Sequence, residues 1–212
     1  MLERTKYILT LHVNHVILVV NMKFSLSTRT IRSRFVFTAI FAALIAVSGF
    51  FIIPVGIVPI VLKNLLVILS GTVLGSFYGG LSVLVFITAG LLGAPVFVIP
   101  GPGVFNTPLG GYIIGYFAGS LIAGIICGLP KIDEKKIRLI FLLRLSLASF
   151  VGFALILLCG TFYMMYLNSI SFTAAFFAGV VPYIPGDLIK LAISIPLALK
   201  LRPIAARYIN NE

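Results

Sequence analysis

Three ionisable side chains, Lys63, Asp187 and Lys190, stand out because long uncharged stretches surround them. No charged residue lies between Lys63 and Lys131, and none lies between Arg144 and Asp187. A carboxylate accepts hydrogen bonds from amide or ureido N–H groups, and an ammonium donates to a carbonyl or a carboxylate. The three side chains therefore have the chemistry to bind a small polar molecule that carries a carboxylate tail.

Asp187 and Lys190 are three residues apart, so on a helix they share one face. Pro185 and Gly186 precede them and place both in the first turn, where unpaired N–H groups and a partial positive charge favour a carboxylate. A charge toward the bilayer centre costs about 2.5–3.5 kcal/mol, so it usually faces a cavity or a partner. Two interpretations stay open. The side chains either only pair while Asp187 caps its helix, or they line a pocket with Lys63.

Three further polar side chains are candidates for the same pocket. Tyr183 and Tyr112 would add hydroxyl donors and aromatic surface, and Asn106 would add an amide. A tyrosine near a membrane interface is also typical of the aromatic belt, so each of these residues is a weaker candidate than the charged ones.

The elements that must hold these residues are apolar helices. The chain has 212 residues, of which 60% are hydrophobic and only 10% charged, whereas a soluble domain is about a quarter charged. We therefore predict an all-α integral membrane protein with six transmembrane helices in one bundle. The predicted spans are residues 35–53, 59–74, 81–92, 110–129, 139–163 and 185–201, with a turn at 75–80, a loop at 93–108 and a short helical connector at 169–181.

The basic residues predict the orientation of this bundle. The net charge of +11 is concentrated mainly in three clusters, which lie before the first span, between the fourth and fifth, and after the last. The positive-inside rule then places both termini in the cytoplasm. Nucleic-acid binding is not expected, because few polar residues interleave with the basic ones. The clusters are Lys23, Arg29, Arg32 and Arg34; Lys131, Lys135, Lys136 and Arg138; and Lys200, Arg202 and Arg207.

The predicted domain boundaries are 1–21, 22–203 and 204–212. Residues 1–21 form a doubtful extension, because their apolar stretch is too short to cross a bilayer and Met22 could be the true start. Residues 22–203 are the six-helix membrane domain, and residues 204–212 are predicted to be a cytoplasmic tail.

Small residues in the first span form two pairs at four-residue spacing, Ala39 with Ala43 and Ala42 with Ala46. Such spacing lets helices approach closely in lipid. The face that they form either packs within the bundle or contacts a partner protein.

Motifs for nucleotide hydrolysis, zinc-dependent hydrolysis and nucleophilic catalysis do not occur in the sequence. We predict no metal and no cofactor, and we predict that the chain is not an enzyme. An intramembrane enzyme that uses Asp187 and Lys190, a small-molecule channel, and an assembly subunit without a ligand remain as alternatives.

Four blocks of the sequence resemble the biotin-transporter substrate-binding family, BioY. Their order and spacing match from about Met22 to Pro203, and the last block is the most specific. The blocks are IVPIVLK at 57–63, GLLGAPVF at 90–97, LGGYIIG at 109–115 and VPYIPGDLIK at 181–190.

The resemblance implies the substrate-binding component (S-component) of an energy-coupling-factor (ECF) importer. Such a component captures biotin at the outer face and works with a transmembrane coupling subunit and two ATP-hydrolysing subunits. Asp187 and Lys190 match the pair that binds the biotin head, and small residues of the first helix match the contact with the coupling subunit. The implied location is the plasma membrane of a prokaryote, with multiple passes.

This sequence departs from the family pattern near the expected ligand. The second-helix block usually reads PITLQ, but here Val61 and Lys63 replace the threonine and the glutamine. The loop at 98–106 is shorter, and Leu109 replaces a threonine. A different carboxylate vitamin similar to biotin is therefore the alternative ligand, with Lys63 as its carboxylate partner.

Overall fold

The computed structural model describes residues 31–50, 52–53, 60–131 and 139–209, and the predicted extension at 1–21 lies outside them. The helices and strands are α1 (Ile31–Ser48), β1 (Ile52–Ile53), β2 (Ile60–Val61), α2 (Lys63–Leu91), α3 (Leu109–Cys127), α4 (Leu139–Asn168), α5 (Phe172–Gly179) and α6 (Ile184–Ile209), with 3₁₀ turns at Pro102–Asn106 and Val181–Tyr183. The all-helical class is confirmed, apart from the short antiparallel pair β1–β2.

The first two predicted spans have different bounds in the structure. α1 ends at Ser48 and α2 begins at Lys63, because the β-branched residues of Ile52–Ile53 and Ile60–Val61 pair as strands instead of extending the helices. Lys63 is therefore the first helical residue after a strand.

The chain reverses direction inside α2. Gly75 has φ 83° and ψ 177°, a conformation that is essentially restricted to glycine, and it separates the helical residues on either side. Ser70 Oγ lies 3.3 Å from the carbonyl oxygen of Gly79, and the ammonium of Lys63 lies 5.2 Å from the ring centre of Phe86. Both pairs are centred on Gly75, as in a helical hairpin. The predicted turn is confirmed, but it needs only Gly75 and not the whole of 75–80.

Small residues allow α3 to pack closely against α4. A Cβ atom added to Gly115 would lie 2.8 Å from Cα of Ile156, and one added to Gly119 would lie 2.8 Å from the carbonyl oxygen of Gly152. These approaches leave no room for a side chain. The α3 glycines therefore serve packing within the bundle.

The last helix is longer than predicted. α6 continues through Pro196 and Pro203 to Ile209, and Ala205, Ala206 and Ile209 are buried. The predicted end at residue 201 is therefore wrong, and so is the interpretation of 204–209 as a tail.

Arg202, which lies with Lys200 and Arg207 in one basic cluster of the sequence, is wholly buried. Its guanidinium donates to the carbonyl oxygens of Thr72, Gly128 (3.3 Å) and Leu129 (3.1 Å), which lie near the break in α2 and beyond the end of α3. Carbonyl groups at helix ends lack helical partners and carry a partial negative charge, so the buried cation is satisfied there.

One end of the bundle contains the start of α1, the reversal in α2 and the end of α6. Arg34 donates to the carbonyl oxygen of Ile209 at 2.8 Å and lies over the ring of Tyr78. We call this the terminal end.

Among the described residues, the helices that are long and apolar enough to cross a membrane are Ile31–Ser48, Lys63–Leu91, Leu109–Cys127 and Leu139–Asn168.

Candidate functional site

A cavity of about 200 Å³ lies at the opposite end of the bundle, where α1 ends and α2, α3 and α6 begin. We call this the cavity end. Polar and small residues of the wall come from all these elements, and apolar residues come from the loop after α2, from α3 and from α4. The wall consists of Gly49, Lys63, Asn64, Phe97, Val98, Val104, Leu109, Tyr112, Ile113, Tyr116, Leu157, Tyr183 and Lys190.

Asp187 and Lys190 form a buried ion pair beside the cavity. Lys190 Nζ lies 2.6 Å from Asp187 Oδ1. Lys190 is only 4% exposed and Asp187 only 6%. The three-residue spacing therefore places both side chains on one helix face, as predicted. Oδ2 of Asp187 is buried and has no hydrogen-bond partner among the described residues, so Asp187 does not cap its helix through that atom. A buried carboxylate oxygen without a donor is costly unless a ligand supplies one.

Lys63 enters the cavity wall from the first residue of α2. Its ammonium donates to the carbonyl oxygen of Val96 at 2.9 Å and lies over the face of Phe86. Gly49 gives it space, because a Cβ there would lie 2.8 Å from the ammonium. The structure thus brings Lys63 and Lys190, which are far apart in sequence, to one cavity.

Two of the three weaker candidates lie in the cavity wall. The hydroxyl of Tyr112 donates to the carbonyl oxygen of Gly179 at 2.7 Å, and its ring lies 6.3 Å from that of Tyr183. This hydrogen bond attaches α5 to the first turn of α3. The hydroxyl proton of Tyr112 therefore has a structural partner, while the residue still lines the cavity. Asn106 is exposed and is not part of the wall.

Sequence reasoning missed two polar wall residues, Tyr116 and Asn64. Tyr116 follows Tyr112 by one helical turn and so shares its face, which is a signal that was available in the sequence. Asn64 is adjacent to Lys63, but no pattern distinguished it. The apolar wall residues carried no signal, since similar residues fill the whole chain.

The four alanines of α1 divide between two faces. Ala39 and Ala43 are exposed, whereas Ala42 is buried and Ala46 packs against the core. Ala39 and Ala43 are therefore accessible to a partner, and Ala42 serves packing within the chain.

Among the residues that the structure describes, no three His, Cys, Asp or Glu side chains lie close enough to hold a metal ion.

Comparison with known proteins identifies the family. Residues 20–207 match the BioY family. The chain is 36% identical to the biotin transporter BioY of Thermotoga maritima, over 77% of this chain and 92% of that protein. It is 35% identical to the probable biotin transporter BioY of Pyrococcus horikoshii, over 77% and 93%.

A solved structure resembles the whole bundle. The crystal structure of the S-component for biotin from an ECF-type ABC transporter superposes with a TM-score of 0.66, at 27% identity, over 86% of this chain and 93% of that one. The relatives are bacterial and archaeal proteins named as transporters, not as enzymes, and the apolar helices agree with a multi-pass membrane protein. The chain belongs to the BioY family.

Proposed function

We propose that this protein is the biotin-binding S-component of an ECF-type importer. The observation that carries the proposal is the buried Asp187–Lys190 pair, with its free carboxylate oxygen, beside a cavity in a chain of the BioY family. The solved S-component for biotin supports the same assignment.

The pair suits the head of biotin, which presents two ureido N–H groups and one carbonyl oxygen. Oδ2 of Asp187 would accept from a ureido N–H, and a remaining N–H of the Lys190 ammonium would donate to the carbonyl. The rings of Tyr112, Tyr116 and Tyr183 would pack against the apolar part of the bicyclic head. These roles satisfy the free oxygen and keep both charged side chains paired.

The proposed topology has six membrane crossings with both termini in the cytoplasm. The reversal at Gly75 supports it, because α2 then supplies two crossings, and α6 supplies the sixth. The contact of Arg34 with Ile209 places the two ends of the described chain together. Lysines and arginines lie at this terminal end, which the positive-inside rule assigns to the cytoplasm of a prokaryotic plasma membrane. The cavity end then faces outward.

The proposed partners are a transmembrane coupling subunit and ATP-hydrolysing subunits. In this proposal the energy for transport comes from the ATP-hydrolysing subunits, and the match to the S-component of an ECF-type ABC transporter supports it. The exposed face at Ala39 and Ala43 is the proposed contact with the coupling subunit, since small residues let two helices approach closely. Engagement of the partners would reorient the loaded chain and carry biotin inward.

Uptake of labelled biotin tests the proposal. Cells that lack their own biotin transporter would express this chain with the coupling subunit and the ATP-hydrolysing subunits. A second strain would express the same set with the P-loop lysine of the ATP-hydrolysing subunit replaced. Uptake that needs the intact ATP-hydrolysing subunit is expected. ATP-dependent uptake by this chain expressed wholly alone would refute the assignment as an S-component.

A further inference from the structure

The charged side chains at the cavity end do not cancel. Residues 35–62 contain no charged side chain, none lies between Lys63 and Lys131, and none lies between Arg144 and Asp187. Lys63, Asp187 and Lys190 are therefore the charges that these segments bring to the cavity. Asp187 and Lys190 neutralise each other at 2.6 Å, which leaves the ammonium of Lys63 as a net charge of one.

The groups in contact with the Lys63 ammonium do not neutralise its charge. One of its three N–H bonds is directed to the carbonyl oxygen of Val96, and the π face of Phe86 lies 5.2 Å away. Both partners are uncharged and present negative partial charge to the cation. Within the described part of the chain, the ion pair present joins Lys190 to Asp187, so Lys63 has no carboxylate partner there. An ammonium removed from water gains most from an anion.

We propose that Lys63 reads the carboxylate of the ligand, so that the cavity selects a monoanion held between Lys63 and the Asp187–Lys190 pair. This inference rests on the proposed function and adds a specificity-determining residue and a binding orientation to it. Two N–H bonds of the Lys63 ammonium remain for the carboxylate. The neutral head of the ligand binds to the Asp187–Lys190 ion pair. A vitamin of similar shape without a negative charge is then rejected, because it leaves the cation unpaired.

Biotin and biotinamide separate the charge of the tail from the shape of the molecule. Competition against labelled biotin on the purified, detergent-solubilised protein gives both affinities. Hydrogen bonds to charged groups predict that the wild type binds biotin about tenfold to a hundredfold more tightly than biotinamide. Lys63→Gln keeps a polar side chain, which is one bond shorter, but removes its charge. It should lower the affinity for biotin by that factor and reduce the preference to within about threefold.

A second variant moves the ammonium without removing it. Gly49→Ala places a methyl carbon 2.8 Å from the Lys63 ammonium, which is too close, and that flexible end can shift while the helix stays intact. Gly49→Ala should reduce the preference for biotin over biotinamide, and Lys200→Gln, on the exposed side of α6, should retain it.

Equal binding of both compounds by the wild type, or a preference that survives Lys63→Gln, would overturn the inference and leave the proposed function standing. A folded wild type that binds neither compound would refute the proposed function itself, and the role of Lys63 with it. The two failures therefore give different results.

Discussion

Replacement of Arg202 by alanine should strongly destabilise the protein. The guanidinium is wholly buried, donates to carbonyl oxygens of Thr72, Cys127, Gly128 and Leu129, and lies over the ring of Phe141. Each buried carbonyl left without its donor costs about 1–3 kcal/mol, so the loss of these donors together should cost about 3–5 kcal/mol. Here the groups left behind are backbone carbonyls at the end of α3 and at the break in α2, where neither helix can satisfy them.

This free-energy loss converts to a large change in melting temperature. A chain of 150–250 residues loses about 2–4 °C for each kcal/mol, so Arg202→Ala should melt about 6–20 °C below the wild type. Arg202→Lys should recover only part of the difference, since a single ammonium cannot reach carbonyls in several directions as a planar guanidinium does.

The two cysteines provide the assay, because the chain contains no tryptophan. Cys127 is buried and Cys159 is partly buried, so a thiol-reactive fluorophore reports unfolding in detergent. Lys200→Ala is the matched control, as it removes an exposed positive charge two residues away on the same helix. A melting temperature of Arg202→Ala within about 2 °C of the wild type would refute the idea that Arg202 joins α6 to α2 and α3.

Three further variants test the attachment of α5 and the proposed partner face. Tyr112→Phe removes the hydrogen bond to the carbonyl oxygen of Gly179 but keeps the ring. It should cost about 1 kcal/mol and lower the melting temperature by about 2–4 °C, and an unchanged melting temperature would show that the bond does not hold α5. Ala43→Leu enlarges an exposed position on α1, so biotin binding should persist while partner-dependent uptake falls at least several-fold. Ala42→Leu, at a buried position one residue away, should instead lower the melting temperature. Normal uptake by a stable Ala43→Leu variant would exclude this face as the partner contact.

The isolation of charge in the sequence was sufficient to predict which ionisable residues meet at the cavity end. Lys63, Asp187 and Lys190 are surrounded by apolar residues, and charges inside a membrane protein converge on cavities or partners. The structure brings Lys63 and Lys190 to one cavity and pairs Asp187 with Lys190. The prediction of Asn106 had less basis, since a single amide in a Gly- and Pro-rich loop does not indicate where the side chain points. Asn106 lies exposed outside the cavity wall.

The sequence could not predict the role of Arg202. A long basic side chain near the end of an apolar span has the same pattern whether it reaches the membrane surface or lies inside the bundle. The two outcomes differ only in whether unpaired carbonyls of other helices lie within reach, which is a tertiary property. The predicted end of the last span at residue 201 was wrong, because buried contacts of Ala205, Ala206 and Ile209 continue α6 through Pro203, although a proline normally ends a helix.

Local backbone geometry explains the remaining differences. The turn between the second and third predicted spans was assigned to a whole glycine-rich segment, whereas the single conformation of Gly75 is sufficient to reverse the chain. The strand pair before α2 was not predicted, because two-residue strands of isoleucine and valine cannot be distinguished from the apolar end of a helix by periodicity.

Equilibrium binding of biotin to the purified wild type and to Asp187→Asn, measured by titration calorimetry, tests the central claim most directly. Asp187→Asn keeps the shape of the side chain but removes the anionic acceptor, and Leu188→Ala, on the exposed side of the same helix turn, is the control. We predict saturable binding by the wild type and by Leu188→Ala, and a loss of about tenfold or more in affinity for Asp187→Asn. A wild-type protein that melts cooperatively but does not bind biotin would contradict the assignment.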